Sequence, residues 1–226
     1  MALTIIKYNA GNIQSVLYAL ERIGVEATVT DNIEEIQKAD KIIFPGVGEA
    51  STAMNYLKER NLDKVLKDLK QPVLGICLGM QLMCRYSEEN DTTCLGIFDE
   101  EVKMFRTVDN RTADGLLARE SNQELVAGPP SPSGEGTRVR LKVPQIGWNN
   151  IYGLKTGLFK DVNEQSYCYF VHGYYAALGE HTIATTDYVQ PYSSGLHRDN
   201  FYGVQFHPEK SADIGEQILR NFAQNP

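Results

Sequence analysis

Four cysteines and four histidines supply the nucleophiles and bases of this chain. One of each stands where it could do chemistry. Cys77 alone lies between two glycines, in Gly75-Ile76-Cys77-Leu78-Gly79, at the end of the apolar run Val73, Leu74, Ile76. A helix-like stretch, Leu78 to Tyr86, follows at once. A buried strand that turns sharply into a helix holds a nucleophile on strained backbone, and flanking glycines let neighbouring chain approach without a Cβ clash. The N-terminus of the following helix favours a thiolate. A free cysteine is more often an inert buried residue, and that is the expectation for Cys84, Cys94 and Cys168.

A thiol becomes a useful nucleophile beside a base, and the base needs an orienting group. His207 sits just past the strand-like run Phe201-Tyr202-Gly203-Val204-Gln205-Phe206, with Glu209 two residues on. In an extended His207-Pro208-Glu209 both side chains project the same way. Glu209 would then hold one ring nitrogen and leave the other for Cys77. His172 is expected as a satisfied histidine of the core or a loop. Pro45-Gly46-Val47-Gly48 is a third element of interest. Two glycines in four residues can aim backbone N–H groups at a developing oxyanion. Alone it reads as an ordinary turn; beside Cys77 it becomes a candidate oxyanion loop.

These groups need a scaffold. Leu3-Thr4-Ile5-Ile6, Glu26 to Thr30, Lys41 to Phe44 and Val73 to Ile76 read as strands. Between them, Ile13, Val16, Leu17 and Leu20 recur at helical spacing up to Gly24, Ile33 to Gln37 forms a short helix, and Ser51 to Leu69 forms one or two more. Strands alternating with helices predict an α/β fold, a mostly parallel central sheet flanked by helices, whose ligands bind beyond the carboxyl ends of the strands. After Tyr86 the rhythm weakens. Ser87 to Thr93 reads as polar loop and Glu101 to Phe105 as a strand. Val143 to Asn150, with the single tryptophan, reads as a loop. Tyr167 to Val171 and His181 to Thr186 read as strands, and Ser211 to Phe222 as the last helix. Residues 108–138, whose second half is Gly128-Pro129-Pro130-Ser131-Pro132-Ser133-Gly134, read as a flexible surface insertion in a single domain, with a short helix over Thr112 to Leu125.

The bulk numbers exclude other classes. A net charge of −7 argues against a nucleic-acid binder and against attachment to an anionic membrane. No apolar stretch is long enough to span a bilayer. The start of the chain does not read as a signal peptide. Cysteines without regular spacing fit a reduced, cytoplasmic protein rather than a disulfide framework. No metal site and no cofactor are expected: the histidines do not pair with cysteine or carboxylate at ligand spacing, and Asn9-Ala10-Gly11-Asn12 lacks the dinucleotide fingerprint.

Gly75-Ile76-Cys77-Leu78-Gly79-Met80-Gln81 together with Gln205-Phe206-His207-Pro208-Glu209 resembles the class I (triad) glutamine amidotransferases, over nearly the whole chain except about 108–138. The loops Tyr8 to Asn12, Pro45 to Gly48, Val143-Pro144…Gly147-Trp148-Asn149 and Tyr169 to Tyr175 resemble one branch, the glutaminase subunits of histidine biosynthesis. The resemblance implies a flavodoxin-like fold and a catalytic triad of Cys77, His207 and Glu209. It implies oxyanion donors from Leu78 and from Gly46, Val47 and Gly48, with Gln81 and Gly48 assisting in binding glutamine. It also implies a heterodimer whose other member is a (β/α)8-barrel cyclase subunit, to which the ammonia is passed. Trp148, Asn149 and Tyr174 are the candidates for the docking face, against a plain role in packing. Gln145 stands where the branch commonly has His, and Gly173 where it commonly has Ser. The rival readings are a glutaminase subunit of another amidotransferase, a stand-alone cysteine hydrolase, and a non-catalytic module that keeps the fold.

Overall fold

The computed structural model describes residues 2–8, 12–106 and 142–224. The expected insertion at 108–138 and its short helix lie outside the described residues. So does the centre of the loop after the first strand.

The first half of the chain alternates strand and helix as the spacing predicts. Strands β1 (Leu3–Ile6), β2 (Ala27–Thr30), β3 (Lys41–Gly46) and β4 (Val73–Cys77) are separated by helices α1 (Ile13–Arg22), α2 (Ile33–Lys38), α3 (Ala50–Glu59) and α4 (Leu62–Asp68). Asparagine caps start α1 and α2: Asn12 accepts from the Ser15 amide, and Asn32 from those of Glu34 and Glu35. Gly24, at φ +74°, leaves α1 through the left-handed region, as a glycine after a helix end often does.

The helix after Cys77, α5 (Leu78–Met83), is shorter than its apolar pattern suggests. Cys84 turns extended, and the chain enters two short strands, β5 (Tyr86–Ser87) and β6 (Thr92–Thr93), where a polar loop was expected. There follow β7 (Glu101–Met104), β8 (Gln145–Ile151), β9 (Ser166–His172), β10 (Tyr174–Ala176), β11 (Thr182–Tyr188), β12 (Gln190–Arg198) and β13 (Phe201–Val204). A 3-10 turn, Pro208–Lys210, leads into α6 (Ala212–Gln224).

Among the described residues, the main sheet runs β2-β1-β3-β4-β13-β12-β10-β7-β5-β6, with β11 on β12. The five strands from β2 to β13 are parallel. β12, β10 and β7 extend the sheet through antiparallel pairings from β13 to β7, and β7 then pairs parallel with β5. Helices cover both faces of the parallel part, which is why its strands are continuously apolar. Val16, Leu20, Ile218 and Phe222 of α1 and α6 pack with Leu3, Ile5, Ile43 and Ile76. Met54, Leu57, Leu66 and Leu82 of α3, α4 and α5 pack with Ile6, Ile42, Phe44 and Val73 on the other side.

Two further strands depart from the sequence reading. The segment Val143 to Asn150 is no loop: most of it is β8, paired antiparallel with β9 in a separate two-stranded ribbon, Gln145 opposite His172 and Trp148 opposite Tyr169. β12 has no clear alternating signature because Pro191, Ser193, Ser194 and Gly195 interrupt it. The Ser193 hydroxyl is satisfied across the sheet, donating to the Ala177 carbonyl at 2.8 Å, while the buried Ser194 hydroxyl has no partner among the described residues.

Candidate active site

The elbow is built as the glycine spacing predicts. β4 ends at Cys77, whose φ of +54° is a strained setting for a residue with a side chain. A Cβ on Gly79 would fall 1.9 Å from the Phe44 carbonyl oxygen, and one on Gly46 would fall 2.4 Å from the Tyr8 hydroxyl. Only glycine lets α5 start this close to the end of β3. In the β3–β4 register Gly46 is the direct neighbour of Cys77. Pro45 and Gly46 therefore belong to the strand, and the loop proper begins at Val47. Val47 is exposed and Gly48 has φ +103°. Leu78 opens α5 and is buried.

His207 and Glu209 come together, though not in the extended form expected. Pro208 starts a 3-10 turn, and that turn brings the Glu209 carboxylate to 2.8 Å from His207 Nδ1. The His207 amide donates to the Tyr169 carbonyl at 2.9 Å. Ser211 locks the turn: its hydroxyl donates to the His207 carbonyl at 2.7 Å and accepts from the Tyr169 amide at 3.0 Å. Cys77, His207 and Glu209 are all buried. Burial opposes a charge on His207, but its interactions with Cys77 and Glu209 outweigh that cost and raise the imidazole to about 10. The site therefore favours an imidazolium beside the sulfur.

The Cys77 sulfur has two further contacts. It donates to the Val171 carbonyl at 3.8 Å, and it accepts from the Gln205 side-chain amide at 3.7 Å. Gln81 does not stand free: its Nε2 donates to the Tyr174 carbonyl and to Gln205 Oε1, each at 2.9 Å. The Tyr8 hydroxyl is buried beside the elbow without a hydrogen-bond partner among the described residues, and burial together with Cys77 pushes the phenol far above its ordinary range. His172 is a core histidine, as expected. Its Nδ1 lies 2.7 Å from the Tyr174 carbonyl and its Nε2 3.2 Å from the Tyr192 hydroxyl. Burial, with His207 nearby, lowers it to about 4 despite the bond to Tyr174. Cys84, Cys94 and Cys168 are free and buried; burial raises Cys94 and Cys168 to about 12 and Cys84 upward as well.

The three docking candidates are spread over different surroundings. Trp148 points outward from β8 and is 53% exposed. Asn149 turns the other way, and its amide donates to the Asp187 carbonyl at 2.9 Å, tying β8 to β11. Tyr174 is half-buried on β10. Gln145 is buried; its side-chain oxygen accepts from Tyr192 at 3.0 Å. At Gly173 a Cβ would meet only Pro144, at 3.9 Å, so crowding does not require the glycine. Sequence reasoning assigned no role to Gln205, Val171 or Tyr8. All three stand in stretches that carry the resemblance, but only the folded contacts single them out. Among the described residues no group of three or more His, Cys, Asp or Glu could hold a metal ion, and no helix is long and apolar enough to cross a membrane.

Residues 4–225 match the model of the class I glutamine amidotransferase family. The chain is 50% identical to the imidazole glycerol phosphate synthase subunit HisH of Bacteroides fragilis strain YCH46, over 99% of this chain and all of that one. It is 40% identical to the HisH subunit of Pasteurella multocida, over 99% and 98% of the two chains. Solved structures share the fold at low identity. A subunit of a putative GMP synthase from Thermoplasma acidophilum superposes with a TM-score of 0.66 at 17% identity, over 98% of this chain and 92% of that one. PurLQS from Thermotoga maritima gives 0.62 at 13%, over 98% and 97%. With a cysteine elbow, a His–Glu pair and this degree of likeness along its length, the chain belongs to the class I glutamine amidotransferases and, within them, to the HisH subunits of imidazole glycerol phosphate synthase.

Proposed function

We propose that Cys77, His207 and Glu209 are the triad with which this glutaminase subunit hydrolyses glutamine and supplies ammonia for imidazole glycerol phosphate synthesis. The observation that carries this reading is a buried His207–Glu209 pair, at 2.8 Å, set against a cysteine on a strained strand-to-helix turn. The sulfur of Cys77, its proton held on His207, attacks the side-chain amide carbon of glutamine. The carbonyl oxygen becomes an oxyanion, met by backbone N–H groups of Leu78 and of the Gly46-Val47-Gly48 segment. His207 passes its proton to the departing nitrogen, ammonia leaves, and a glutamyl thioester remains. Neutral His207 then takes a proton from water, the hydroxide adds to the thioester, and the thiolate departs to restore the starting pair. Glu209 holds the ring orientation and stabilises its cationic form throughout.

The synthase needs a cyclase subunit, and we take that partner to be a (β/α)8 barrel. The outward face of the β8–β9 ribbon supports a docking role: Ile146, Trp148, Tyr167 and Val171 are all exposed on it. Contiguous exposed apolar and aromatic groups of this kind mark interaction surfaces. Four free buried cysteines suit a cytoplasmic setting. The deciding experiment measures glutamate release from glutamine by this chain alone, then with the cyclase partner plus its nucleotide ligand. A low rate alone that rises by orders of magnitude in the complex, and vanishes in Cys77→Ala, is the expected result. A high rate indifferent to the cyclase would move the protein to a stand-alone hydrolase. Substantial turnover by Cys77→Ala would remove the triad assignment.

A further inference from the structure

Gln205 is fully buried, one strand over from the nucleophile and two residues before His207. Its amide has a defined sense, which can be worked out from one unambiguous atom. The Tyr174 carbonyl can only accept, so the nitrogen of Gln81 must face it, at 2.9 Å. That nitrogen carries a second N–H, which points at Gln205 from 2.9 Å and requires the oxygen of Gln205 there. The nitrogen of Gln205 is thereby turned to the sulfur of Cys77, at 3.7 Å. A flip of either amide would set two acceptors or two donors against each other in a buried site, at the cost of unsatisfied groups.

The sulfur thus lies between two groups of opposite preference. The Val171 carbonyl accepts from a thiol and faces a thiolate unfavourably. The Gln205 amide donates, and a donor is bound more strongly by a charged acceptor than by a neutral one. Gln205 carries no base, so it takes no proton; its effect is on which form of the sulfur is preferred and where the sulfur points.

We infer that Gln205 is a further catalytic residue of this site, an N–H donor to the Cys77 sulfur that favours its thiolate, with Gln81 as the positioning residue that fixes the sense of the amide. The inference rests on Cys77 being the nucleophile. It assigns Gln81 a task that needs both of its N–H groups, before any contact of its oxygen with glutamine.

The test reads the sulfur directly. The full chain is alkylated with iodoacetamide across pH, and modification of Cys77 is followed by peptide mass, which separates it from the other three cysteines. Gln205→Met keeps the volume and removes the donor. The pH of half-maximal alkylation is expected to rise by about one unit, a roughly tenfold loss of thiolate at a given pH, and to rise further in Gln205→Glu. Gln81→Leu, which leaves the donor but frees its orientation, should give a smaller rise in the same direction. In the unmodified protein, the side-chain amide resonances of Gln205 should move with the Cys77 titration and stay still in Cys77→Ala, a readout that needs no folded Gln205 variant. Alkylation profiles that coincide in wild type and in folded Gln205 variants, or Gln205 amide resonances blind to the titration, would overturn the inference. Failure of glutamine turnover with the cyclase, beside a shifted alkylation profile, would instead strike the proposed function and leave this contact standing.

Discussion

The Val171 carbonyl accepts from the Cys77 thiol at 3.8 Å, while the Val171 side chain stands exposed on the outer face of the β8–β9 ribbon. The same strand reaches the other half of the site: the Tyr169 carbonyl accepts from the His207 amide at 2.9 Å. One strand therefore touches both Cys77 and His207 through its backbone, and presents its alternate side chains to solvent. Anything that seats on those side chains bears on the geometry of the pair.

The ribbon gives the first prediction. Trp148 is the largest side chain on the exposed face and packs edge-on against Tyr169 at 5.9 Å. Trp148→Ala should weaken assembly with the cyclase by about 2 kcal/mol, roughly thirtyfold in Kd, as expected for a tryptophan at the centre of an interface. Calorimetric titration of one subunit into the other measures it. Unchanged affinity and unchanged coupling would place the docking face elsewhere.

Glu209 is the second. With Glu209 and Cys77 beside it, His207 holds its proton up to about pH 10. Glu209→Gln removes one source of that stabilisation and keeps the shape, so the His207 titration should move down in pH. The glutaminase kcat of the assembled enzyme should fall by about two to four orders of magnitude. NMR titration of the His207 ring, in wild type and variant, checks the direction independently of turnover.

The two buried histidines should also give opposite pH dependences of stability. His207 is raised above its unfolded value, so its contribution is fully present below about pH 6.5 and is lost as pH rises through about 10. His172 is lowered to about 4, so the unfolded chain binds the proton first. Its share of stability is present above about pH 6.5 and declines toward pH 4, by about 3 kcal/mol in all. Urea unfolding at pH 7 and at pH 4.5 should show a smaller acid loss in His172→Gln than in wild type. Equal losses would deny His172 this role.

Gly79 tests the elbow. Its absent Cβ would lie 1.9 Å from the Phe44 carbonyl oxygen, and that oxygen belongs to a central strand that cannot yield easily. Gly79→Ala should cost about 3 kcal/mol of stability, the upper end of ordinary overpacking, and should displace Cys77 enough to depress turnover in the molecules that fold. Thermal unfolding followed by circular dichroism gives the first quantity. A variant as stable as wild type would show that α5 can shift away.

Much of this could be read from residue types and their spacing, because the information is local. An apolar run bounded by glycines makes β4 and its turn, whatever surrounds it. Helical spacing of Ile13, Val16, Leu17 and Leu20 between Asn12 and Gly24 makes α1. The His207–Glu209 pairing needed only a separation of two, and it survived a mistaken conformation because a 3-10 turn also brings the two side chains within reach. What tertiary structure alone decided is long-range. β12 is a central strand broken by serines, and Ser193 finds its acceptor in the Ala177 carbonyl of another part of the chain, so no local pattern announces it. β8 needs β9 to be a strand at all. The contacts of the Cys77 sulfur join it to Val171 and to Gln205, residues distant in sequence, and the sense of the Gln205 amide depends on a carbonyl of Tyr174. Sequence identifies which groups can react. The sheet order, which places β4 beside β13, and the packing of the β8–β9 ribbon, which brings Val171 to Cys77 and Tyr169 to His207, decide which of their hydrogen bonds exist.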